Sequence, residues 1–521
     1  MDRRWWTLLV VCAATFMLLL DVTIVVVALP DIQHALDTSF SEIQWVTDAY
    51  ALTLAALLVT SGSLADQYGR KRLFLIGLVI FTAGSALCGA AQNPTMLVAS
   101  RAVQGVGGAI LFSTALALLA TNFHGKERGV AFGVWGAVTG IASALGPILG
   151  GAITGWISWR GIFLVNLPIG AVAIAITLRQ VSESRAPYAN RPDWAGFGSF
   201  TAGLVALIYG LIRAGDRGWS DNGVVYCLAL AAVFIVAFVI IEARTQAPMF
   251  DLSLTRIPTF IGGLTGAFAM NASLFAMFLY LVLYLQNDLG YSALGTGTRL
   301  LIISGTTMVT ATVSGRLSSY LPARWLIGPG LVLVGAGLLL MSGIDSGSRW
   351  THMIPGFIVA GFGSGMVNPA LASTAIGVVN VERSGMASGI NTTFRQIGIA
   401  VGIAVYGSIF SSALRSEMED RLSSSPELAG RSGQIADAVQ QGDPSQAIAA
   451  TPSSLQGQLV DAIHASFVSA MNDLLIISGI VALAGGVLAI LLIRSKDFIA
   501  SRPQSASENA AEAVPASVHL A

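Results

Sequence analysis

Gly62-Ser63-Leu64-Ala65-Asp66-Gln67-Tyr68-Gly69-Arg70-Lys71-Arg72 joins two apolar runs, 43–64 and 73–91. Each run has about 20 residues, which at ~1.5 Å per residue reaches roughly across the hydrocarbon of a bilayer. The junction therefore reads as the tip of a membrane hairpin. Gly69 permits a tight turn. Asp66 is placed to accept from a helix N-terminus or from Arg70, while Arg70, Lys71 and Arg72 hold the tip on the cytoplasmic side. An ordinary positive-inside loop would explain these charges. It would not explain the Gly-x-Leu-Ala-Asp-x-x-Gly-Arg-x-Arg spacing.

The rest of the chain agrees with a membrane assignment. Of 521 residues, 54% are hydrophobic and only 11% charged, and the mean hydropathy is +0.72. A soluble chain of this length would divide into two or three domains with far more surface charge. A formal net charge of +0 leaves no basic field for nucleic acid. Cys12, Cys88 and Cys227 lie in apolar runs without metal-ligand spacing, so they are read as packing residues. The histidines are scattered and form no HExxH pattern, and no nucleophile–base pair stands out, so an enzyme is not expected. Gly105-Val-Gly107-Gly108 and Gly361-Phe-Gly363-Ser-Gly365 resemble nucleotide loops only superficially: no strand precedes them and no Gly-Lys-Ser/Thr follows. Energy must then come from an ion gradient, with no metal and no cofactor beyond the proton gradient.

Fourteen candidate spans run near 5–29, 43–64, 73–91, 95–121, 129–153, 161–179, 195–212, 223–242, 258–285, 295–319, 325–343, 352–376, 385–413 and 472–493. The first follows Arg3 and Arg4 but is too long for a signal-peptide core and lacks a small-x-small cleavage site, so it is read as uncleaved. Arginine and lysine concentrate in alternate connections (Arg70–Arg72, Lys126 and Arg128, Arg179 and Arg185, Arg494 and Lys496), which predicts that both termini are cytoplasmic.

An internal repeat organises these spans. Gly315-Arg316-Leu317 through Arg324 closes the span 295–319 roughly 250 residues after Gly62–Arg72 closes the span 43–64. Gly146-Pro147-Ile148-Leu149-Gly150 has an echo in Gly398–Gly402 at nearly the same offset. Duplication predicts two six-helix halves, 1–180 and 257–496, with an inserted helix pair and linkers at 181–256. Residues 414–471, within the second half, form a polar outer loop. Its end, from Ser453, carries Leu455, Leu459, Ile463, Phe467 and Met471 at fours, an amphipathic helix leading into the last span. Residues 497–521 are expected to be a disordered cytoplasmic tail.

The Gly62–Arg72 loop resembles the signature loop of the major facilitator superfamily. Leu20-Asp21-Val22-Thr23-Ile24-Val25-Val26-Val27-Ala28-Leu29-Pro30 is similar to the first-helix motif of its fourteen-helix drug:proton antiporters, the EmrB/QacA type, although that pattern usually has Asn where this chain has Val26. Arg101-Ala102-Val103-Gln104-Gly105 resembles the helix 4 motif of proton-coupled members, and Gly140 through Gly146, Pro147, Gly150 and Gly151 the helix 5 antiporter motif. Trp159 through Pro168 and Arg383 through Gly398 also fit the branch. The resemblance implies an all-α integral membrane major-facilitator fold and export of lipophilic compounds in exchange for protons.

Charges inside the spans mark the expected site. By helical rise, Asp21, Asp48 and Arg101 lie roughly 12, 8 and 9 Å below the outer surface, in one layer. A carboxylate in lipid is costly unless it faces a cavity, finds a partner or carries a proton. Asp21, Asp48 and Arg101 are therefore expected to couple protons. The competing reading is a static Asp–Arg pair that only fixes packing. Gln104, Asn166, Asn271, Tyr280, Tyr284 and Arg395 are expected to contribute to a substrate cavity, with plain interhelical hydrogen bonding as the alternative for each. Gly62, Asp66, Gly69, Arg70 and Arg72 form a conformational lock. Pro147 kinks its helix, and Gly146, Gly150 and Gly151 let a neighbour slide or seal against it.

The expected protein is a proton-coupled secondary active exporter of lipophilic drugs or toxic compounds, monovalent cationic or neutral, in a bacterial inner (plasma) membrane. Its partners are small lipophilic substrates, protons and lipid, with no nucleic acid, and a periplasmic adaptor protein if the host has an outer membrane. One alternative is a dedicated exporter of a single endogenous metabolite, such as a self-made antibiotic. Another is a non-transporting membrane sensor or scaffold, which would need no buried titratable layer.

Overall fold

A computed structural model describes the chain except residues 1, 124, 186–192, 247, 249, 319, 380–383, 424–425, 441–447 and 499–521; some helical side chains, Asp66 among them, also fall outside the description. The expected tail lies outside the described residues apart from its first two. Asp497 accepts from the Thr259 hydroxyl at 2.7 Å, and Phe498 packs beside Gly377.

Helices run in order as α1 (Arg3–Leu36), α2 (Phe40–Tyr68), α3 (Arg70–Gly89), α4 (Pro94–Asn122), α5 (Gly125–Trp156), α6 (Gly161–Leu164) and α7 (Asn166–Gln180). Then come α8 (Trp194–Arg217) and α9 (Asn222–Arg244). The second half holds α10 (Pro258–Met270), α11 (Ala276–Leu283), α12 (Ala293–Leu317), α13 (Arg324–Met341), α14 (Ile354–Gly377), α15 (Ser384–Leu422), α16 (Pro426–Ala429), α17 (Ser432–Gln440) and α18 (Ser453–Leu492). Among the described residues, 12 helices are long and apolar enough to cross a membrane. The 32-residue α5 and 25-residue α12 stand beside them, which is compatible with fourteen spans. No strand occurs among the described residues.

The duplication shows in the packing. In the first half α4 packs on α2 and α3, and α5 on α1; in the second α14 packs on α12 and α13, and α15 on α10. Two equivalent seams, α2 with α15 and α5 with α12, join the halves. The α8–α9 pair leans on α15 and α2 through α8. Val233 and Val236 of α9 are 63% and 57% exposed, which on an apolar helix marks a lipid-facing side.

Three local departures from the sequence reading have physical causes. The expected helix 161–179 is broken at Val165, and Pro168 sits in the first turn of α7, where its missing amide hydrogen costs nothing. The span beginning at Pro258 is interrupted by two single π-turns, Asn271–Phe275 and Tyr284–Asp288. Such bulges cluster at functional positions. The described residues of the segment 414–471 are largely helical: α15 continues to Leu422, and α18 begins at Ser453 and runs unbroken for 40 residues through the last span. Met418, Leu422, Leu428, Ile435 and Leu459 give this cap its own small core.

Candidate functional site

Asp21 and Arg101 form a buried, tightly bonded pair. α1 carries Asp21, α4 carries Arg101 and Gln104, and both ionic side chains are fully buried. Arg101 Nη1 donates to Asp21 Oδ2 at 2.6 Å and to Gln104 Oε1 at 2.7 Å, and its Nε donates to the Val46 carbonyl at 3.0 Å. Gln104 Nε2 donates to Asp21 Oδ1 and to Ser85 Oγ, each at 2.8 Å. Asn166 Nδ2 reaches the same Ser85 hydroxyl at 3.3 Å. The Arg101 guanidinium lies over the Tyr50 ring, 4.3 Å from its centroid. Charge, hydrogen bonds and an aromatic face thus offset the cost of burying the pair.

Gly105 lets α4 come this close to α2: a Cβ there would meet the Tyr50 carbonyl at 2.7 Å. Gly84 does the same for α3, where a Cβ would lie 2.8 Å from Gln104 Cα. The network is therefore built by small residues as much as by its charges. Sequence reading found Asp21, Arg101 and Gln104 and missed Ser85 and Tyr50, which carry no charge to mark them.

Asp48 belongs to another face. It is 0% exposed, yet neither carboxylate oxygen has a hydrogen-bond partner among the described residues. One turn earlier on α2, Gln44 Nε2 donates to Tyr280 Oη of α11 at 3.4 Å, and Tyr280 donates to the Ile403 carbonyl of α15 at 2.8 Å. Asp48 follows Gln44 by four residues on α2 and so lies on the same side of that helix. The three charges thus do not form one network: Asp21 and Arg101 pair within the first half, and Asp48 stands apart from them.

The antiporter glycines touch α1 directly beyond Asp21. A Cβ on Gly150 would lie 2.9 Å from the Ile24 carbonyl, and one on Gly146 would meet the Thr23 side chain more closely still. Gly151 turns the other way, where a Cβ would lie 2.6 Å from Leu294 Cα of α12. Pro147 is inside α5. The echo positions repeat this in the second half: Gly398 packs on Phe268 and Asn271, and Gly402 on Ala272 and Ala276.

The loop 62–72 is tied by a residue that the motif does not contain. Glu183, from the strap after α7, accepts the Lys71 amide on Oε1 at 3.0 Å and the Arg72 amide on Oε2 at 3.2 Å. It thereby caps the N-terminus of α3 from a distance in sequence. The Arg70 amide donates to the Ser184 carbonyl at 2.9 Å, and its guanidinium donates to Thr121 Oγ1 at 2.5 Å. Gly69 adopts φ 115°, open to glycine alone, and a Cβ there would meet the Glu183 carboxyl. Gly62 sits beside Ser113 of α4. The role expected for Asp66 falls on a side chain outside the description.

The remaining polar residues are dispersed rather than gathered in one cavity. Asn271 donates to Ala267 of its own helix at 2.8 Å. Arg395 meets Asn368 Oδ1 at 3.1 Å and Asn391 Oδ1 at 3.3 Å, with no carboxylate partner among the described residues. Tyr280 belongs to the contact between halves, and Tyr284 is buried at the start of the second π-turn. Among the described residues no cluster of His, Cys, Asp and Glu is suited to a metal.

Comparison with known proteins follows this geometry. Residues 11–403 match the family model described as Major Facilitator Superfamily. The chain is 37% identical to a "Probable actinorhodin transporter" of Streptomyces coelicolor, over 80% of this chain and 74% of the relative. It is 36% identical to "Multidrug resistance protein Stp" of Mycobacterium tuberculosis, over 80% and 78%. It is 31% identical to "Tetracenomycin C resistance and export protein" of Streptomyces glaucescens, over 94% and 91%. Among solved structures, a bacterial homolog of the human lysosomal transporter Spinster, in an inward-facing and occupied conformation, superposes with a TM-score of 0.63 at 16% identity, covering 96% of this chain and 99% of that one. At that identity the likeness speaks for the fold alone.

Proposed function

This chain belongs to the major facilitator superfamily, and from that premise we propose that it exports lipophilic drugs or toxic compounds in exchange for protons. It is a multi-pass membrane transporter and not an enzyme. The observation that supports the coupling is the buried network of Asp21, Arg101 and Gln104, with a second buried carboxyl, Asp48, on another face of α2. Ionisable groups are kept at such depth when they serve a transported species or a proton.

In the proposed cycle the first half, 1–180, rocks against the second, 257–496, along the α2–α15 and α5–α12 seams, with 181–256 as a supporting pair. Asp21 takes up and releases the proton, with Asp48 as a second site, and Arg101 favours the charged form of Asp21. Gln104 and Asn166 hold the Asp21 network in place, and Asn271 and Arg395 lie on the substrate path. Tyr280 and Tyr284 close its outer end. The glycine seam of Gly146, Gly150 and Gly151 slides, and the loop Gly62–Arg72, with Gly69, Arg70 and Asp66, locks the cytoplasmic side. The chain sits in a bacterial plasma membrane with both termini inside. No cofactor enters the cycle; the proton gradient drives it.

A dedicated exporter of one antibiotic is the second reading, favoured by relatives named for transport or export of actinorhodin and tetracenomycin C. The test is accumulation of monovalent cationic dyes and neutral antibiotics in cells lacking their own exporters. Expression should lower accumulation of several compounds, and collapse of the proton gradient should restore it. Export that persists after the collapse would exclude proton coupling. Export of a single compound would favour the dedicated exporter.

A further inference from the structure

Arg101 and Arg395 both lie deep in spans, but their surroundings differ. Arg101 is matched by the Asp21 carboxylate. Arg395 has amide oxygens instead: its Nε donates to Asn391 Oδ1 at 3.3 Å, Nη1 to Asn368 Oδ1 at 3.1 Å and Nη2 to the Asn368 carbonyl at 3.4 Å. No carboxylate among the described residues answers its charge. A guanidinium without a counter-charge costs far more to hold in a low-dielectric interior than a paired one.

Position gives this difference a consequence. Arg395 lies roughly 14 Å into the apolar span Met386–Leu422, near the middle of a ~30 Å hydrocarbon layer and beyond the reach of lipid headgroups. Asn391, Arg395, Gly398 and Gly402 recur at helical spacing on one side of α15. Gly398 packs on Phe268 and Asn271, and Gly402 on Ala272 and Ala276, so this side points into the second half rather than to lipid. Arg395 is nevertheless only partly covered by protein. It therefore faces space inside the bundle.

The donors left over define what would fill that space. A guanidinium has five N–H groups, and three of those on Arg395 are engaged. The other two, one on each terminal nitrogen, have no acceptor among the described residues. Asn391 adds a third such donor: the residue is 4% exposed, and its Nδ2 is buried without a partner among the described residues. Asn368 holds the arrangement. Its Nδ2 donates to the Ser364 carbonyl at 3.2 Å and to Ser364 Oγ at 3.3 Å, which turns its Oδ1 toward Arg395. Donors gather here around one positive charge, and no anion balances them.

We propose that Arg395 and Asn391, steadied by Asn368, form a subsite for the carboxylate of a lipophilic substrate. Arg395 supplies the counter-charge and Asn391 Nδ2 a further donor. The proposal rests on the exporter reading and narrows its substrate class to lipophilic monoanions. Neutral compounds forgo this contact, and the monovalent cations expected from the sequence would meet a like charge.

The test is equilibrium binding to the full chain in lipid nanodiscs, read by fluorescence polarisation with empty nanodiscs subtracted. Pyrenebutyrate and anthroate are compared with their methyl esters and with ammonium compounds on the same rings. Each acid should bind at least about tenfold tighter than its ester, as a charge-assisted hydrogen bond provides. The ammonium compounds should bind more weakly than either. Arg395→Gln should abolish the difference between acid and ester. Arg395→Lys, which keeps the charge but not the planar fork, should retain part of it. Acids that bind no tighter than their esters, or a preference that survives Arg395→Gln, overturn the proposal. A second measurement needs no variant. At equal concentration the acids should raise the unfolding temperature of the wild type more than the esters do, and equal shifts would overturn the proposal as well. Binding requires neither transport nor a proton gradient. If the acids bind through Arg395 while vesicles export nothing, the exporter reading fails and the carboxylate site stands. If vesicles export neutral compounds while the acids show no preference, the carboxylate site fails alone.

Discussion

Arg101 Nη1 stands 2.6 Å from Asp21 Oδ2, and neither side chain is open to solvent. The contact joins α4 to α1 inside one half of the bundle. Removing either charge strands the other in a low-dielectric interior, which costs more than the pair gains.

Arg101→Ala should therefore lower stability in detergent by roughly 3–5 kcal/mol. Asp21→Asn with Arg101→Gln should regain most of that loss without regaining proton-driven transport. Thermal unfolding and vesicle transport, measured on the same variants, separate the two effects. Full transport in the double variant would assign the pair to packing alone.

Gly150→Ala should cost ~1–3 kcal/mol, because its new Cβ would meet the Ile24 carbonyl at 2.9 Å and backbone cannot step aside cheaply. Gly155→Ala, five residues on with nothing within 4 Å, should stay within about 0.5 kcal/mol of wild type. Equal losses at the two positions would remove the close α1–α5 approach from the explanation.

Glu183→Ala should loosen the tip of the signature loop. Loss of the cap on Lys71 and Arg72 is expected to cost about 1 kcal/mol and to slow turnover more than it weakens substrate binding. Hydrogen exchange at residues 69–73 reads the cap directly. Unchanged protection there would show that the Glu183 contact does not hold the helix end.

His464→Ala should free the outer cap without opening the core. The ring contacts Asp288 Oδ1 at 2.5 Å and the Ser346 carbonyl at 3.0 Å, tying α18 to the end of the Tyr284–Asp288 turn and to the loop after α13. Exchange near residues 344–348 should quicken about tenfold, the equivalent of one lost hydrogen bond of ~1.4 kcal/mol. Faster exchange through α1 or α4 instead would make the cap part of the bundle's core.

Much of this was legible from residues alone. Span length, the charged loop Gly62–Arg72 and the repeat offset carried the fold, because bilayer thickness and loop charge constrain sequence strongly. Asp21 and Arg101 were legible because a charge in a lipid span is conspicuous. Their separation from Asp48 was not, since helical rise gives depth but not facing. Glu183 was hidden because it lies about 110 residues from the helix it caps. The π-turns at Asn271–Phe275 and Tyr284–Asp288 left no mark either, since neither stretch contains a Gly or Pro to signal a break. The helical cap over 414–471 was half visible, in the spacing of Leu455 to Met471, while its core comes from residues far apart in the chain.

Proton exchange is the central claim, and everted membrane vesicles test it most directly. Cationic dyes and neutral antibiotics are added to vesicles carrying the wild type, Asp21→Asn or Asp48→Asn, and proton movement is followed with a pH-sensitive dye. The expected result is a substrate-triggered proton flux in the wild type that both substitutions abolish. A flux that persists undiminished in both variants would contradict the claim that these buried carboxyl groups carry the proton.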